Sequence, residues 1–285
     1  MKLDRTQLEQ YQRDGYTTHA GFLDQEKVSQ YLLEVEQICA DQTFGRHDAA
    51  VVEMEPDQRP DGRRVRRVHD PCSQYSTFIA LAEATGLLDG VEQLIGPNIY
   101  FIGSKINVKP PEIGSVVEWH QDFAYGPATN TDLVSVLVYL DDADAENGCL
   151  QVLPGYHRGR LLDHTQEGYF QGQITEEFDA SGAVDLAGKC GTAIFLHCMT
   201  PHASRPNRAQ KWRRTLILSY RATDAIPVYS GEMTRKGDTY LRLVRGQDSH
   251  VARFTLQEIA IPHYASGTAS LYQLQEDFCK KRGVA

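Results

Sequence analysis

The sequence predicts a mainly β protein in which α-helices pack on a β-sandwich or barrel. Three observations carry this. Helical patterning is confined to the region before residue 99. Short apolar segments separated by turn residues follow it. The strict strand–helix alternation of a doubly wound fold is absent. With 285 residues and no repeat, low-complexity tract or linker, a single domain over 1–285 is expected.

Composition narrows the function classes. Hydrophobic content of 41% and charged content of 24% are those of a soluble globular chain. A formal net charge of -9 argues against nucleic-acid or anionic-membrane binding. The N-terminus lacks an apolar signal region, and no apolar run approaches the ~18 residues of a membrane span. The six cysteines lack a C-x-x-C pair and are expected to be reduced thiols in a cytoplasmic protein. Oligomeric state is not legible.

Taken in order, Thr6 to Arg13 reads as a helix that stops at Asp14-Gly15. Tyr16 to His19 is a short strand. Asp24 caps a second helix, Lys27 to Ala40, with Val28, Leu32, Val35 and Cys39 on one core-facing stripe. Residues 44–67 are polar and irregular, and their basic run Arg59, Arg63, Arg64, Arg66, Arg67 reads as a solvated loop or as a cover over a site that receives an anion. Ser76 to Ala84 and Leu87 to Ile95 read as helices broken near Gly86. From Ile99 to Val108, Ile102, Ile106 and Val108 share one strand face, and Gly103, Lys105 and Asn107 share the other. That polar face is either solvated or the lining of a polar cavity. Further strands are expected at 115–122, 132–140, 149–153, 191–196 and 213–221.

The chemistry centres on Val117-Glu118-Trp119-His120-Gln121-Asp122-Phe123. In a strand, His120 and Asp122 point the same way, roughly 7 Å apart along the backbone, close enough to meet on one metal ion. A His, a carboxylate and a second His on one face of the metal is the ligand set of non-haem Fe(II) oxygenases. The second His must come from a distant segment. His157, His164, His197 and His202 are the candidates. His202 opens a new segment after Pro201 and is preferred on position, with His197 next. Trp212 to Tyr220 then forms a strand with Arg213 and Arg214 at its start. Only one of these neighbours points inward, where it would be a buried charge in need of an anionic partner. A dicarboxylate supplies one, because guanidinium binds carboxylate bidentately.

These residues, together with Tyr139-Leu140-Asp141-Asp142, Glu146-Asn147-Gly148-Cys149-Leu150, Pro154-Gly155-Tyr156-His157, Pro201-His202-Ala203-Ser204, Asn207, Asp14-Gly15-Tyr16 and Lys105-Ile106-Asn107-Val108-Lys109, resemble the phytanoyl-CoA dioxygenase family of Fe(II)/2-oxoglutarate oxygenases, which includes ectoine hydroxylase. The resemblance spans about residues 8–222, and the tail, 223–285, carries no recognisable motif. Tyr156 stands where the family usually has Ser, a change expected to alter turn packing and leave the metal site intact.

The resemblance implies a double-stranded β-helix (jelly-roll, cupin-like) core flanked by helices. It implies that His120, Asp122 and His202 hold Fe(II), with His197 left to packing. It implies that Arg213 holds the distal carboxylate of 2-oxoglutarate, with Ser204 and Asn107 touching the same co-substrate and Lys105 a further carboxylate contact. O2 takes the remaining position, and succinate and CO2 are released. Related halogenases carry Gly or Ala where this chain has Asp122, so hydroxylation or another C–H oxidation is implied and halogenation is not. Phe123, Tyr125 and Arg66 are the substrate candidates. Trp119 alternates away toward the core. The substrate is expected to be a small molecule, anionic or amphoteric if the basic run covers the mouth. Two alternatives use the same ligands without needing an inward Arg: a cupin-like isomerase or zinc hydrolase, and a non-enzymatic binding protein.

Overall fold

A computed structural model of the chain describes residues 2–228, 241–264 and 271–282. The N-terminal part runs α1 (Arg5–Asp14), β1 (Tyr16–His19), α2 (Gln25–Ala40), β2 (Val52–Met54), β3 (Val65–His69), α3 (Pro71–Gln74), α4 (Ser76–Ala82) and α5 (Thr85–Ile95). The strand-rich part runs β4 (Ile99–Lys109), β5 (Val117–His120), β6 (Leu133–Tyr139), β7 (Leu150–Val152), β8 (Thr165–Gln166), β9 (Tyr169–Phe170), β10 (Val184–Leu186), β11 (Ala193–His197), β12 (His202–Ser204) and β13 (Arg213–Ala222). β14 (Arg242–Arg245) and α6 (Leu271–Arg282) follow.

Local chemistry explains the helix ends. Asp4 and Gln7 form a reciprocal capping box on α1, and Gly15, at φ 80°, closes it in the left-handed region that glycine tolerates. Asp24 accepts from the Lys27 N–H at the start of α2. The buried face of α2 is Val28, Tyr31, Val35 and Ile38, with Leu32 and Cys39 packed partly buried at its margin, so the expected stripe is real but rotated. The break before α5 falls at Glu83-Ala84, and Gly86 lies inside that helix.

Two antiparallel sheets face each other. The larger has the order β1-β11-β6-β13-β4-β3-β2, with β14 also paired to β4, and the smaller has the order β10-β7-β12-β5. β6 shows how the layers form. All seven of its residues are buried. Val134, Val136 and Val138 enter the cluster shared with the helices, while Leu137 and Tyr139 enter the cluster between the sheets with Leu150, Val152, Leu186, Ile194, Leu196 and Ile217. Each such aliphatic side chain contributes about 1.5–3 kcal/mol on burial. This is the expected double-stranded β-helix, with helices on the outer face of the larger sheet.

The 44–67 region departs from expectation. β2 and β3 extend the larger sheet, with Arg67 paired to Asn107 on β4. Its polar residues hid the strands because two charged side chains, Arg66 and Arg67, are buried there. β4 also departs. A register shift between Ser219 and Tyr220 of β13, opposite Gly103 at φ 157°, reverses the alternation. Phe101 therefore joins Ile106 and Val108 under the helices, and Ile102 packs on the other side near Phe123.

Candidate metal centre and its cavity

β5 and β12 are neighbours in the smaller sheet, and His120 sits directly opposite His202. Their ring centroids lie 4.1 Å apart. Asp122 does not continue the strand. Gln121 is extended, and Asp122 opens a 3-10 turn over Asp122–Ala124, so strand alternation alone does not aim the carboxylate. Gln121 fixes that turn. Its side chain donates to Met199 O at 2.7 Å and accepts from Leu162 N–H at 2.8 Å, and its own N–H donates to His164 Nε2 at 3.0 Å. His164, a ligand candidate by residue type, is thereby committed to the backbone. His197 accepts the Met199 N–H on Nδ1 and stands against the rings of Tyr11 and His157.

The Nε2 atoms of His120 and His202 lie 3.8 and 3.7 Å from Asp122 Oδ1. His120, Asp122 and His202 are the one group of three such side chains, among the described residues, whose ligand atoms lie within 4.8 Å of one another. Their protonation suits a metal. His120 Nδ1 faces Glu118 O at 2.7 Å and His202 Nδ1 faces Thr200 O at 3.0 Å. A carbonyl only accepts, so each Nδ1 carries the proton and each Nε2 lone pair is free for a cation. Ser135 donates to Asp122 Oδ2 at 2.9 Å and leaves Oδ1 toward the imidazoles. Burial opposes ionisation of Asp122, but His202, Lys105, His120 and Ser135 together outweigh it and hold the carboxyl down at about 2. Burial, with His202 beside it, pushes the His120 imidazole well below its ordinary value. Two imidazoles whose Nε2 atoms converge on one carboxylate fit a divalent transition metal.

A cavity runs from these three residues between the sheets. Arg67, Lys105, Asn107, Ser204 and Arg213 line it, together with the aliphatic and hydroxyl side chains of β6 and β13. Arg213 lies beyond Thr215 on the inward face of β13. It donates to Gly148 O through Nε at 2.8 Å and through Nη2, and to Thr215 Oγ1 through Nη1 at 3.0 Å. It has no carboxylate partner among the described residues. Arg214 points the other way and binds Asp141 with two 2.8 Å bonds. The Lys105 ammonium lines the cavity and makes no hydrogen bond or ion pair among the described residues. Burial lowers its ammonium below the ordinary value, with Asp122 opposing.

The substrate candidates do not line this cavity. Phe123 is buried among Ala128, Leu133, Met199 and Ala222. Tyr125 presents its ring edge-on to His120 at 5.5 Å and donates to Gly172 O. Arg66 is bound to Glu53 at 2.8 Å and Glu276 at 2.6 Å, which places its charge away from the cavity. Arg67, its neighbour, is the arginine of the basic run that reaches in. Trp119 is half-buried against Phe178, and Tyr156 is exposed, donating to Asp179 O at 3.1 Å. Ser135 was missed by the sequence reading, which also singled out Arg66 of the basic run where Arg67 lines the cavity. A lone hydroxyl within the aliphatic strand LVSVLVY was a signal for Ser135; Arg67 had none beyond its basic neighbours.

The phytanoyl-CoA dioxygenase family pattern matches residues 11–215. The chain belongs to the phytanoyl-CoA dioxygenase family. It is 31% identical over 264 residues to a probable alpha-ketoglutarate-dependent hypophosphite dioxygenase of Stutzerimonas stutzeri, covering 90% of this chain and 91% of that one. It is 24% identical over 241 residues to the ectoine dioxygenase of Bordetella parapertussis, covering 78% and 76%. In fold it is similar to iron-bound EctD from S. alaskensis, with a TM-score of 0.70 and 24% identity over 87% of this chain and 88% of that one. This family member is an iron- and 2-oxoglutarate-dependent dioxygenase of a small molecule. Among the described residues no helix is long and apolar enough to cross a membrane, and none of the six cysteines is in a disulfide.

Proposed function

We propose that this dioxygenase oxidises a C–H or P–H bond of a small oxyanion. His120, Asp122 and His202 hold the iron, Arg213 receives the distal carboxylate of 2-oxoglutarate, and Ser204 and Asn107 flank that co-substrate. Bound iron and 2-oxoglutarate supply the activation of O2, with succinate and CO2 as co-products. The chain's own residues orient and enclose. Ser135 keeps Asp122 turned to the metal, Arg213 sets the length at which a five-carbon diacid is held, and Leu137, Tyr139 and Ile217 exclude water along its path.

One observation carries the anionic substrate: the cavity holds more positive charge than the co-substrate neutralises. Arg67, Lys105 and Arg213 face a single carboxylate, Asp122. With iron(II) and dianionic 2-oxoglutarate bound, the formal charge remains positive, and a buried excess of that sign favours an anion. The name of the S. stutzeri relative makes hypophosphite the first compound to try. Succinate release and O2 uptake would be followed with hypophosphite, small phosphonates, small carboxylates, proline and ectoine. Tight coupling to an oxyanion, with KM raised about tenfold or more by Lys105→Met, is expected. Coupling to neutral or zwitterionic compounds alone would overturn the reading.

A further inference from the structure

We propose that Arg67, braced on the ring of Tyr272 from the C-terminal helix, is the cation that selects the substrate's oxyanion. The proposal rests on the anionic-substrate reading above and adds to Lys105 the guanidinium that fixes which oxyanion is held. β3 carries Arg66 and Arg67 side by side, and both guanidinium carbons lie over the Tyr272 ring, at 4.4 and 4.7 Å from its centroid. Their charges have different fates. Arg66 is bound by Glu53 and Glu276. Arg67 Nε donates to Asn107 Oδ1 at 3.3 Å, and the nearest carboxylate oxygen, on Glu53, is 3.9 Å away. Its Nη2 is buried and has no hydrogen-bond partner among the described residues. A guanidinium this buried is costly with one arm unmet, and the cavity it lines is where an oxyanion would meet that arm.

The strand order separates this group from the co-substrate anchor. Arg213 is on β13, β4 lies next, and Arg67 is on β3 beyond it, roughly 10 Å away at the spacing of strands. A diacid reaching from the metal ligands to Arg213 therefore leaves Arg67 free, with Lys105 between it and Asp122. The brace comes from outside the family match, which ends at residue 215. On α6, Tyr272 is buried, Gln275 bridges Glu118 N–H at 3.2 Å and Gly172 O at 2.6 Å, and Glu276 takes Arg66. α6 thus binds Arg66 through Glu276, while the Tyr272 ring packs against Arg67. Tyr272 is a positioning residue that does not touch the substrate.

Two affinities, measured without O2, separate the outcomes: 2-oxoglutarate by the visible band of its Fe(II) chelate, and the oxyanion by calorimetry on the Fe(II)·2-oxoglutarate protein. Arg67→Gln is expected to weaken the oxyanion about tenfold or more and Arg67→Lys by less, with 2-oxoglutarate within about twofold of wild type. Tyr272→Leu should weaken the oxyanion about threefold to tenfold, and Tyr272→Phe, which keeps the ring, should restore it. An unchanged oxyanion affinity in a folded, chelate-forming Arg67→Gln would overturn the proposal and leave the anionic-substrate reading standing. A parallel loss of 2-oxoglutarate affinity would move Arg67 to the co-substrate. A wild type that neither binds nor turns over any small oxyanion, phosphorus- or carbon-based, would sink both.

Discussion

Arg213 and Lys109 face each other in register across β13 and β4, both buried, and neither is bonded to a carboxylate among the described residues. Lys109 donates instead to the carbonyls of Ser115 and Arg205. Burial, and then the neighbouring guanidinium, push its ammonium well below the ordinary value. Arg213 is lowered by burial too but starts so high that it stays charged. Arg213 thus keeps a buried positive charge at the strand end with no anionic partner among the described residues.

Arg213→Met is accordingly expected to weaken 2-oxoglutarate by about 2–5 kcal/mol, and Arg213→Lys by a large part of that because a point charge cannot reproduce the fork. At a hundredfold excess over its Kd, 2-oxoglutarate should stabilise the wild type by about 2.7 kcal/mol. The Met variant at the same concentration should keep no more than about 0.9 kcal/mol of this in thermal unfolding. Equal protection of both proteins would place the diacid elsewhere.

Gly148 supplies the carbonyl that orients Arg213. It sits at φ +76°, and a Cβ there would overlap the Arg205 carbonyl oxygen. Gly148→Ala should cost about 1–3 kcal/mol from backbone strain and should also lower 2-oxoglutarate affinity, because the acceptor moves. Urea unfolding and the chelate titration read the two effects separately. A destabilised variant with normal co-substrate affinity would show that Thr215 alone suffices to hold the guanidinium.

Ser135→Ala removes the hydrogen bond on Asp122 Oδ2 and frees the carboxylate to rotate. Metal affinity should fall about 10- to 100-fold, read by Co(II) or Fe(II) titration. An unchanged affinity would mean that packing, without the hydroxyl, holds Asp122 in place.

Two buried histidines make stability pH-dependent. Burial lowers His164 to about 4 and His197 to about 3, and each accepts a backbone N–H that only the neutral ring can take. Unfolded, each titrates near 6.5, so below that pH the unfolded chain binds protons that the folded chain refuses. This stability is full above about pH 6.5 and is lost as pH falls toward 4 and then 3. Between pH 7 and 5 each residue should cost about 2 kcal/mol, and the loss should shrink in His164→Gln and His197→Asn, which keep an acceptor without a titration. A urea midpoint that does not move over that range would refute the assignment.

What could be read without coordinates followed from local, periodic rules. Turn residues and apolar alternation located β4, β6, β11 and β13. The apolar stripe of α2 and its cap at Asp24 reflect chemistry within a few residues. Motif order, with its tight spacing from His120 to Asp122 and from His202 to Arg213, carried the family, the cofactors and the candidate ligands. The chain by itself therefore determined the class of reaction. Tertiary structure decided what depends on residues distant in sequence. Pairing β3 to β4 brought Arg67, and not Arg66, into the cavity. The 3-10 turn at Asp122, fixed by Gln121 and His164, aimed the carboxylate where strand alternation would not have. The register shift opposite Gly103 exchanged the faces of Phe101 and Ile102, and α6 set Tyr272 beneath two arginines. The physical reason is common to all four. Which side chain is buried, and beside which charge, depends on strand partners and register, and a sequence specifies these only through the whole packed fold.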